Sequence, residues 1–407
     1  MTLIECFTGA HIDNIAACLR LRPEKMVLLG DAAEMAEAAR RYEKLLQQRR
    51  QETRIKLWDT GGMDLRQLRE SLDILIRQEE DCVIDLTGGD EMVIMAFGAV
   101  LVQLEERLRQ KIRVEKYDRE TGRVQSCIGD RCAISSHPEQ LTVEELIALH
   151  GGCLHREGYQ PPQSSTARDI RGLWRVVSDE PKTWNKSIQM LNEFESRADS
   201  RQQVYLPLNY LRGGIPNFDR KETAVRELLD KLQRRGVIRD ESSRNALEYT
   251  YESPLLSYCT AKAGNVLEVK TLLEGRSVTE NGRPFFGDSR MSVIIDWDGV
   301  VHDPAQRIPE TRNEVDVVLM HGLTPLFISC KNGAIGEDEL YKLHTVAGRF
   351  GGPYAKKMLI ATDMDQGNMS SNRAFIQRAW DMDIFLVTDA AELADAEWEA
   401  VFKQAVQ

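Results

Sequence analysis

The stretch NEVDVVLMHGLTPLFISCKN, residues 313–332, decides how the C-terminal part of the chain is read. Two apolar runs, 315–320 and 326–330, flank His321, Gly322, Leu323, Thr324 and Pro325, and the glycine and proline there predict the turn of a β-hairpin. A two-residue period places Glu314, Asp316 and Val318 on one face of the first strand, and Ser329 and Lys331 either side of Cys330 on the second. Antiparallel pairing then brings Asp316 near Lys331. A carboxylate and an ammonium at the polar ends of otherwise buried strands are costly to desolvate, which points to a role besides folding. The plain alternative is a surface hairpin with solvated charges.

Working outward, residues 261–274 (AKAGNVLEVKTLLE) have helical spacing, with Val266, Val269, Leu272 and Leu273 inward and Glu268 at the border of that face. A strand at 292–297 follows, with Asp296, Asp298 and His302 near its end. Beyond the hairpin come a helix at 337–349, a strand at 357–361, a helix at 371–381, a strand at 384–388 and a closing helix from 391. This α-β-β-β-α-β order, with Asp316 on one strand and Ser329-Cys330-Lys331 on the next, resembles the PD-(D/E)xK nuclease core. There, an Asp and an acid-x-Lys bind a divalent metal beside the scissile phosphate. The resemblance implies Mg²⁺ or Mn²⁺, whose oxygen ligands would be Asp316, Glu268 and Glu314, and a catalytic set of Asp316, Lys331 and Glu268. Ser329 departs from the pattern, standing where the family carries an acid. Glu268 is the first candidate to replace it, Glu314 the second, and Asp296 or Asp298 the third.

Length and composition set the bounds. With 407 residues, 42% hydrophobic and 29% charged, two or three domains with their own cores are expected. No run of about 18 apolar residues occurs and the opening MTLIECFTGAHIDN has no basic leader region, so a cytoplasmic protein without membrane contact is expected. The eight cysteines lack tight even spacing and are expected as thiols. A net charge of −11 excludes coating of nucleic acid by bulk attraction, though a locally basic groove remains open to it.

At the N-terminus, apolar runs at 2–7, 26–30, 54–58 and 82–87 alternate with helical segments at 11–21, 33–48 and 64–78, the pattern of a parallel, doubly wound sheet. Its first and fourth strands end in Thr8-Gly9-Ala10-His11, with Asn14 a turn later, and in Thr87-Gly88-Gly89-Asp90. Each leads into a helix whose free N–H groups suit phosphate. A long helix at 91–109 and strands at 112–117 and 123–128 around Asp118-Arg119-Glu120-Thr121-Gly122 complete the sheet. A glycine turn after a strand is, taken alone, only a turn. In combination these loops resemble the CARF domain, the Rossmann-like sensor of cyclic oligoadenylates in type III CRISPR defence. The resemblance implies a ligand held by Thr8, Gly9, His11, Asn14, Thr87, Gly88, Gly89 and Asp90. Where the family often has Thr-Gly-Gly-Thr and then a basic residue, this chain has Asp90 and Glu91, two acids that would repel a polyphosphate unless they face away or accept from ribose or adenine.

Between about 129 and 200 the sequence is irregular and reads as a linker around a short helix at 142–149. Cys127, Cys132, His137, His150, Cys153 and His155 could be assembled into a zinc site, but no CxxC pair anchors one. Residues 221–240 have helical spacing and stop at Gly236 before Val237-Ile238, and 247–251 reads as a strand, so a winged-helix-like module fits here as a DNA reader or as a spacer that transmits motion.

The resemblance covers nearly the whole chain: a CARF sensor at 1–150, a linker and winged-helix-like connector at 165–255, and a PD-(D/E)xK domain at 256–407. It is that of the CARF nucleases, and it implies a homodimer with cyclic tetra-adenylate as allosteric activator across the two-fold axis. The implied substrate is single-stranded RNA or DNA, or duplex DNA. Two rivals stay open: a constitutive restriction-type DNA endonuclease, and a ligand-responsive transcription regulator whose C-terminal domain is catalytically dead.

Overall fold

The computed structural model describes residues 1–79, 81–118, 123–127, 139–155, 158–300, 312–333, 335–364 and 369–407. Arg119, Glu120, Thr121, Gly122, Cys132, His137 and His302 lie outside them.

The N-terminal unit runs β1 (Thr2–Cys6), α1 (His11–Leu21), β2 (Lys25–Gly30), α2 (Ala32–Gln48), β3 (Arg54–Asp59), α3 (Leu65–Gln78), β4 (Cys82–Asp85), α4 (Glu91–Gln103), α5 (Glu106–Arg109), β5 (Ile112–Asp118) and β6 (Arg123–Ser126). Its sheet has the order β3-β2-β1-β4-β5-β6, parallel as far as β5 and antiparallel at β6. Alternate strand residues serve opposite faces: Leu3, Met26, Leu28 and Val83 pack with α1 and α2, while Ile4, Val27, Leu29 and Ile84 pack with α3 and α4. The chain reverses its direction of travel across the sheet between β1 and β4, which opens a crevice at their carboxyl ends. The helix expected over 91–109 is two helices, because Leu104 is extended at ψ 144° and its N–H bonds Val100 O at 3.1 Å.

The segment read as a linker is largely structured. It contains α6 (Val143–Leu149), β7 (Cys153–His155), a 3₁₀ turn (Ala167–Ile170), α7 (Arg171–Asp179) and α8 (Pro181–Glu195). Pro181 occupies the first turn of α8, where its missing N–H costs nothing, and Trp184, Ile188, Leu191 and Phe194 form its buried stripe. Then follow β8 (Gln203–Pro207), α9 (Leu208–Leu211), α10 (Phe218–Arg234), β9 (Ile238–Asp240) and β10 (Ala246–Tyr251), the strands forming an antiparallel sheet β8-β10-β9. Buried Glu195 ties helix to sheet: Tyr249 and Tyr251 hydroxyls each donate to its Oε1 at 2.7 Å, and Arg201 meets Oε2 at 2.8 Å.

The C-terminal unit comprises α11 (Pro254–Ala261), α12 (Asn265–Ser277), a small hairpin of β11 (Thr279–Glu280) and β12 (Arg283–Pro284), β13 (Asp288–Asp296), β14 (Arg312–His321), β15 (Thr324–Lys331), α13 (Glu337–Gly351), β16 (Lys356–Ala361), α14 (Met369–Asp381), β17 (Ile384–Val387) and α15 (Asp395–Ala405). The sheet order is β17-β16-β15-β14-β13-β7, so the chain before the middle unit supplies the outermost strand by pairing Leu154 with Ile295. Instead of one helix over 261–274 there are two, broken at Lys262–Gly264. The predicted five-residue turn is only Gly322 and Leu323, with Gly322 at φ 60° and Thr324 and Pro325 already in β15. The helix expected from 391 begins at Asp395.

Neither sheet keeps its core to itself. One apolar cluster runs from the α1–α2 face of the N-terminal sheet through Leu146 and Ile147 of α6 to Leu343, Val346 and Phe350 of α13. A second joins Trp184, Leu191 and Leu229 of the middle unit to Val266, Leu272 and Ile328.

Candidate functional site

The β14–β15 ladder starts at the His321–Thr324 turn and has its last rung at Val317–Ile328. One residue further on, the Asp316 carboxylate takes over: its Oδ2 accepts from Cys330 N at 2.6 Å and from Ser329 Oγ at 3.3 Å, with Lys331 Nζ at 3.5 Å. The two strands therefore part at the point where an acid and a lysine meet. A local break in β13 helps to set this geometry. Ser292, with φ 47°, stands between the Met291–Val317 and Val293–Val315 pairs, and the side chains either side of it pack into different cores. Val315 and Val317, two residues apart, consequently lie in different cores, and the expected common face of Glu314, Asp316 and Val318 is broken at Asp316. The face change turns Asp316 toward α12, where Cys330 Sγ reaches Thr271 Oγ1 at 3.6 Å.

Glu268 lies in the first turn of α12 and feels these groups. Burial, then the charges of Asp316 and Glu314, push its carboxyl up to about 8 against partial relief from Lys331 and Lys262. Lys331 is raised even though burial alone would lower it, because Asp316 and Glu339 outweigh that effect. Glu339, on α13, meets Lys331 Nζ at 3.1 Å and Lys342 at 2.8 Å. Sequence reading missed Glu339; its signal was only an acid in the first turn of the next helix. Glu314 is exposed, while Asp296 is buried at the far end of β13 with Asp298 following it.

Among the described residues no three His, Cys, Asp or Glu side chains are grouped as a ready metal cage. A two-carboxylate site is compatible with Mg²⁺ or Mn²⁺, since Mg²⁺ keeps several waters and takes one or two carboxylates. Burial, then repulsion from Asp316 and Glu314, raises Glu268, and the repulsive part is what a cation between Glu268 and Asp316 would relieve.

At the N-terminal sheet the expected residues divide. A cleft of about 540 Å³ at the carboxyl ends of β1 to β4 is lined by Thr8, Gly89 and Asp90, together with Gly30, Asp31 and Thr60-Gly61-Gly62. Gly88 abuts Thr8, and Gly9 has open space beside its Cα. His11, Asn14 and Thr87 instead brace the loops from within. Asn14 is fully buried, accepts from Thr8 N at 2.9 Å and donates to Thr8 O at 2.7 Å. His11 Nδ1 lies 2.9 Å from Tyr42 Oη and its ring packs on His150; burial, then the charges of His150, Arg41 and Arg349, lower it to about 3. Thr87 accepts Tyr117 N at 2.8 Å, and its own N–H donates to Asp85 at 2.7 Å. At the helix end after Gly89, Asp90 takes up one of the free N–H groups, accepting from Met92 N at 2.8 Å. The Thr60-Gly61-Gly62 loop was overlooked, although it repeats the Thr-Gly-Gly of 87–89.

Gly89 has φ 113°, and a Cβ there would sit 2.4 Å from Cys6 Cβ. Gly89→Ala should therefore push the β4 loop off β1 and destabilise the protein by about 1–3 kcal/mol, measured by denaturant unfolding. Gly9→Ala, with open space around it, should leave stability at the wild-type value.

No protein-family model matches the chain, and no curated protein matches it in sequence. Solved structures do match its fold. Protein VC1899 from Vibrio cholerae superposes with a TM-score of 0.72 at 15% identity, over 100% of this chain and 97% of that one. Can2 from Sulfobacillus thermosulfidooxidans, solved in complex with cyclic tetra-adenylate, gives a TM-score of 0.64 at 15% identity, again over 100% and 97%. The likeness in fold thus extends over the whole chain, both sheets and the unit between them.

Proposed function

We propose that this chain is a metal-dependent nuclease of type III CRISPR defence, with a CARF sensor, a winged-helix-like connector and a PD-(D/E)xK domain, switched on by cyclic oligoadenylate. The observation that carries the reading is the parting of β14 and β15 at Asp316, which gathers Asp316, Lys331 and Glu268. Asp316 and Glu268 would hold Mg²⁺ or Mn²⁺, which supplies a Lewis acid for the phosphoryl oxygen and lowers the pKa of bound water. Lys331, pinned between Asp316 and Glu339, keeps its proton and offers a fixed positive charge to a non-bridging phosphate oxygen, where charge accumulates in the transition state. Because Lys331 is held from two elements, its charge needs little reorganisation when substrate arrives.

In the sensor, the ligand reading uses the cleft at Thr8, Gly89 and Asp90. The acids there already serve as helix caps, so Asp31 and Asp90 would face the ribose or adenine of cyclic tetra-adenylate rather than its phosphates. Glycine at 61, 62 and 89 lets the ring approach the backbone. That Can2 was solved with cyclic tetra-adenylate favours this ring size.

A symmetric ring calls for a symmetric receptor. Helix α4 starts at the cleft and exposes Met92 (40%), Met95 (52%) and Val102 (78%) along one stripe with Gly98, and α3, which packs on α4, exposes Ile74 (51%). A second copy of the chain would cover this stripe and set two clefts side by side. The double variant Met95→Glu, Val102→Glu should be a monomer in sedimentation at concentrations where the wild type is a dimer, and should bind cyclic tetra-adenylate at least about tenfold more weakly.

The regulator reading keeps one observation in its favour, the neutral Ser329 where an acid is expected. Cleavage of labelled single-stranded RNA, single-stranded DNA and duplex DNA, with and without cyclic tetra-adenylate, in Mg²⁺ or Mn²⁺ or chelator, tests the proposal. Cleavage that needs both metal and activator supports it. Cleavage without activator returns the constitutive endonuclease, and activator-dependent DNA binding without cleavage returns the regulator. No helix among the described residues is long and apolar enough to cross a membrane.

A further inference from the structure

The middle unit touches the carboxylate–lysine site on both of its halves. Helix α8 sends Trp184 Nε1 to Ala263 O at 3.0 Å and Asn192 Nδ2 to Ala261 O at 3.0 Å, the carbonyls that end α11 and lead into α12 and Glu268. The neighbouring Asn185 donates Nδ2 to Asn332 O at 2.8 Å, immediately after Lys331. Asn332 closes the bridge, since its Nδ2 donates to Ala263 O and its Oδ1 accepts from Thr362 Oγ1. Thr362 N in turn bonds Lys331 O at 3.0 Å. Gly333, at φ 93°, lets α8 come this close, because a Cβ there would stand 3.2 Å from Asn185 Nδ2.

One rigid helix therefore fixes the helix that carries Glu268 and the strand end that carries Lys331, with no side chain of its own in the site. We infer that α8 is the positioning element of this site, with Trp184 and Asn185 as positioning residues that set the separation of Glu268 from Asp316 and Lys331. The inference rests on the nuclease reading above and assigns the middle unit a task other than reading DNA. The charges of α10 agree with that assignment. Of the five cations of α10, Lys221, Arg226, Lys231 and Arg234 each face an acid, at 2.5, 2.9, 2.6 and 2.6 Å, so most of its positive charge is locally balanced. Movement of the middle unit would reach the site through α8 without unfolding either half, because α8 shares an apolar core with α12 through Trp184 and Val266.

The test uses full-length Asn185→Ala and Trp184→Phe. Asn185 is exposed, and Phe keeps the ring of Trp184 in the core while removing its donor. Asn185→Asp, which loses the donor but keeps the shape, replaces the alanine variant should that one misfold. For each, kcat and KM are measured on single-stranded RNA and DNA with cyclic tetra-adenylate and Mn²⁺, alongside Mn²⁺ affinity by electron paramagnetic resonance, activator affinity and melting temperature. Misplacing reacting groups by an ångström costs up to about 10²-fold in rate, so each variant should lose roughly tenfold or more in kcat. Mn²⁺ binding should weaken in parallel, while KM and activator affinity stay at wild-type values. Wild-type kcat and Mn²⁺ affinity in the variants of an active enzyme, or a lowered melting temperature alone, would overturn the positioning role. A wild type that shows no metal-dependent cleavage removes the nuclease reading first, and this inference with it.

Discussion

Asp316→Ala and Lys331→Ala should each reduce activated cleavage by about 10²–10³-fold or more, the usual cost of removing one electrostatic stabiliser of a transition state. Binding of cyclic tetra-adenylate should be untouched in both, since the cleft lies on the other sheet. The two substitutions differ in their cost to the fold. Asp316 accepts the Cys330 N–H where the strand ladder has stopped, so alanine leaves a partly buried donor unsatisfied and should destabilise by about 1–3 kcal/mol. Asp316→Asn keeps an acceptor and separates that loss from the loss of charge. It should restore most of the stability and none of the cleavage. Lys331 is partly exposed and tethered only by charge, so its removal should change stability by about 1 kcal/mol or less. Undiminished cleavage by purified Asp316→Asn and Lys331→Ala would show that the parted strands are not the active site. Glu339→Gln offers a graded comparison. It releases one tether of Lys331 while leaving the ammonium, so a loss smaller than that of Lys331→Ala is expected.

The sequence made the alternation of both sheets legible because their strands are short apolar runs between amphipathic helices, a pattern in which each element carries its own period. The meeting of Asp316 and Lys331 was legible for the same reason, since a tight turn at Gly322 fixes the register of everything beyond it. What escaped notice depends on neighbours in space. Ser292 breaks the strand period with a positive φ that no residue type there advertises, and it redirects Asp316. Helix α8 was hidden by the glycines, prolines and serines before it, although Trp184, Ile188, Leu191 and Phe194 follow helical spacing. In the N-terminal unit, residue type does not tell a ligand group from a structural one. His11, Asn14 and Thr87 have the polar groups of ligand residues in a loop, and in the fold those groups bond to Tyr42, Thr8 and Tyr117. Glu5 and Asp85, paired across β1 and β4 and fully buried, were read only as parts of apolar runs. Burial, then the neighbouring Asp85, raises the Glu5 carboxyl well above its ordinary value.

Metal affinity should rise with pH through the range that Glu268 governs. Its carboxyl is pushed from 4.5 to about 8 by burial and by Asp316 and Glu314, so at neutral pH the metal-free protein holds a proton there. A cation needs the ionised carboxylate and must displace that proton, which gives close to a tenfold gain in apparent affinity per pH unit below about 8 and a plateau above it. The same shift acts on stability with the opposite sense. A carboxyl raised in the folded state favours folding below its ordinary value, and that contribution fades as pH climbs through about 8. Without metal, the wild type should therefore lose stability as pH rises across this interval, and saturating Mn²⁺ should recover it by binding the state that has lost the proton. Glu268→Gln cannot ionise. It should flatten the pH dependence of Mn²⁺ affinity, weaken binding most at high pH, and unfold at a denaturant midpoint that falls less than that of the wild type between about pH 4.5 and pH 8. Mn²⁺ titrations and denaturant unfolding at several pH values, on wild type and Glu268→Gln, decide the matter. A slope of Mn²⁺ affinity with pH that persists in the glutamine variant would show that Glu268 is not the second metal ligand.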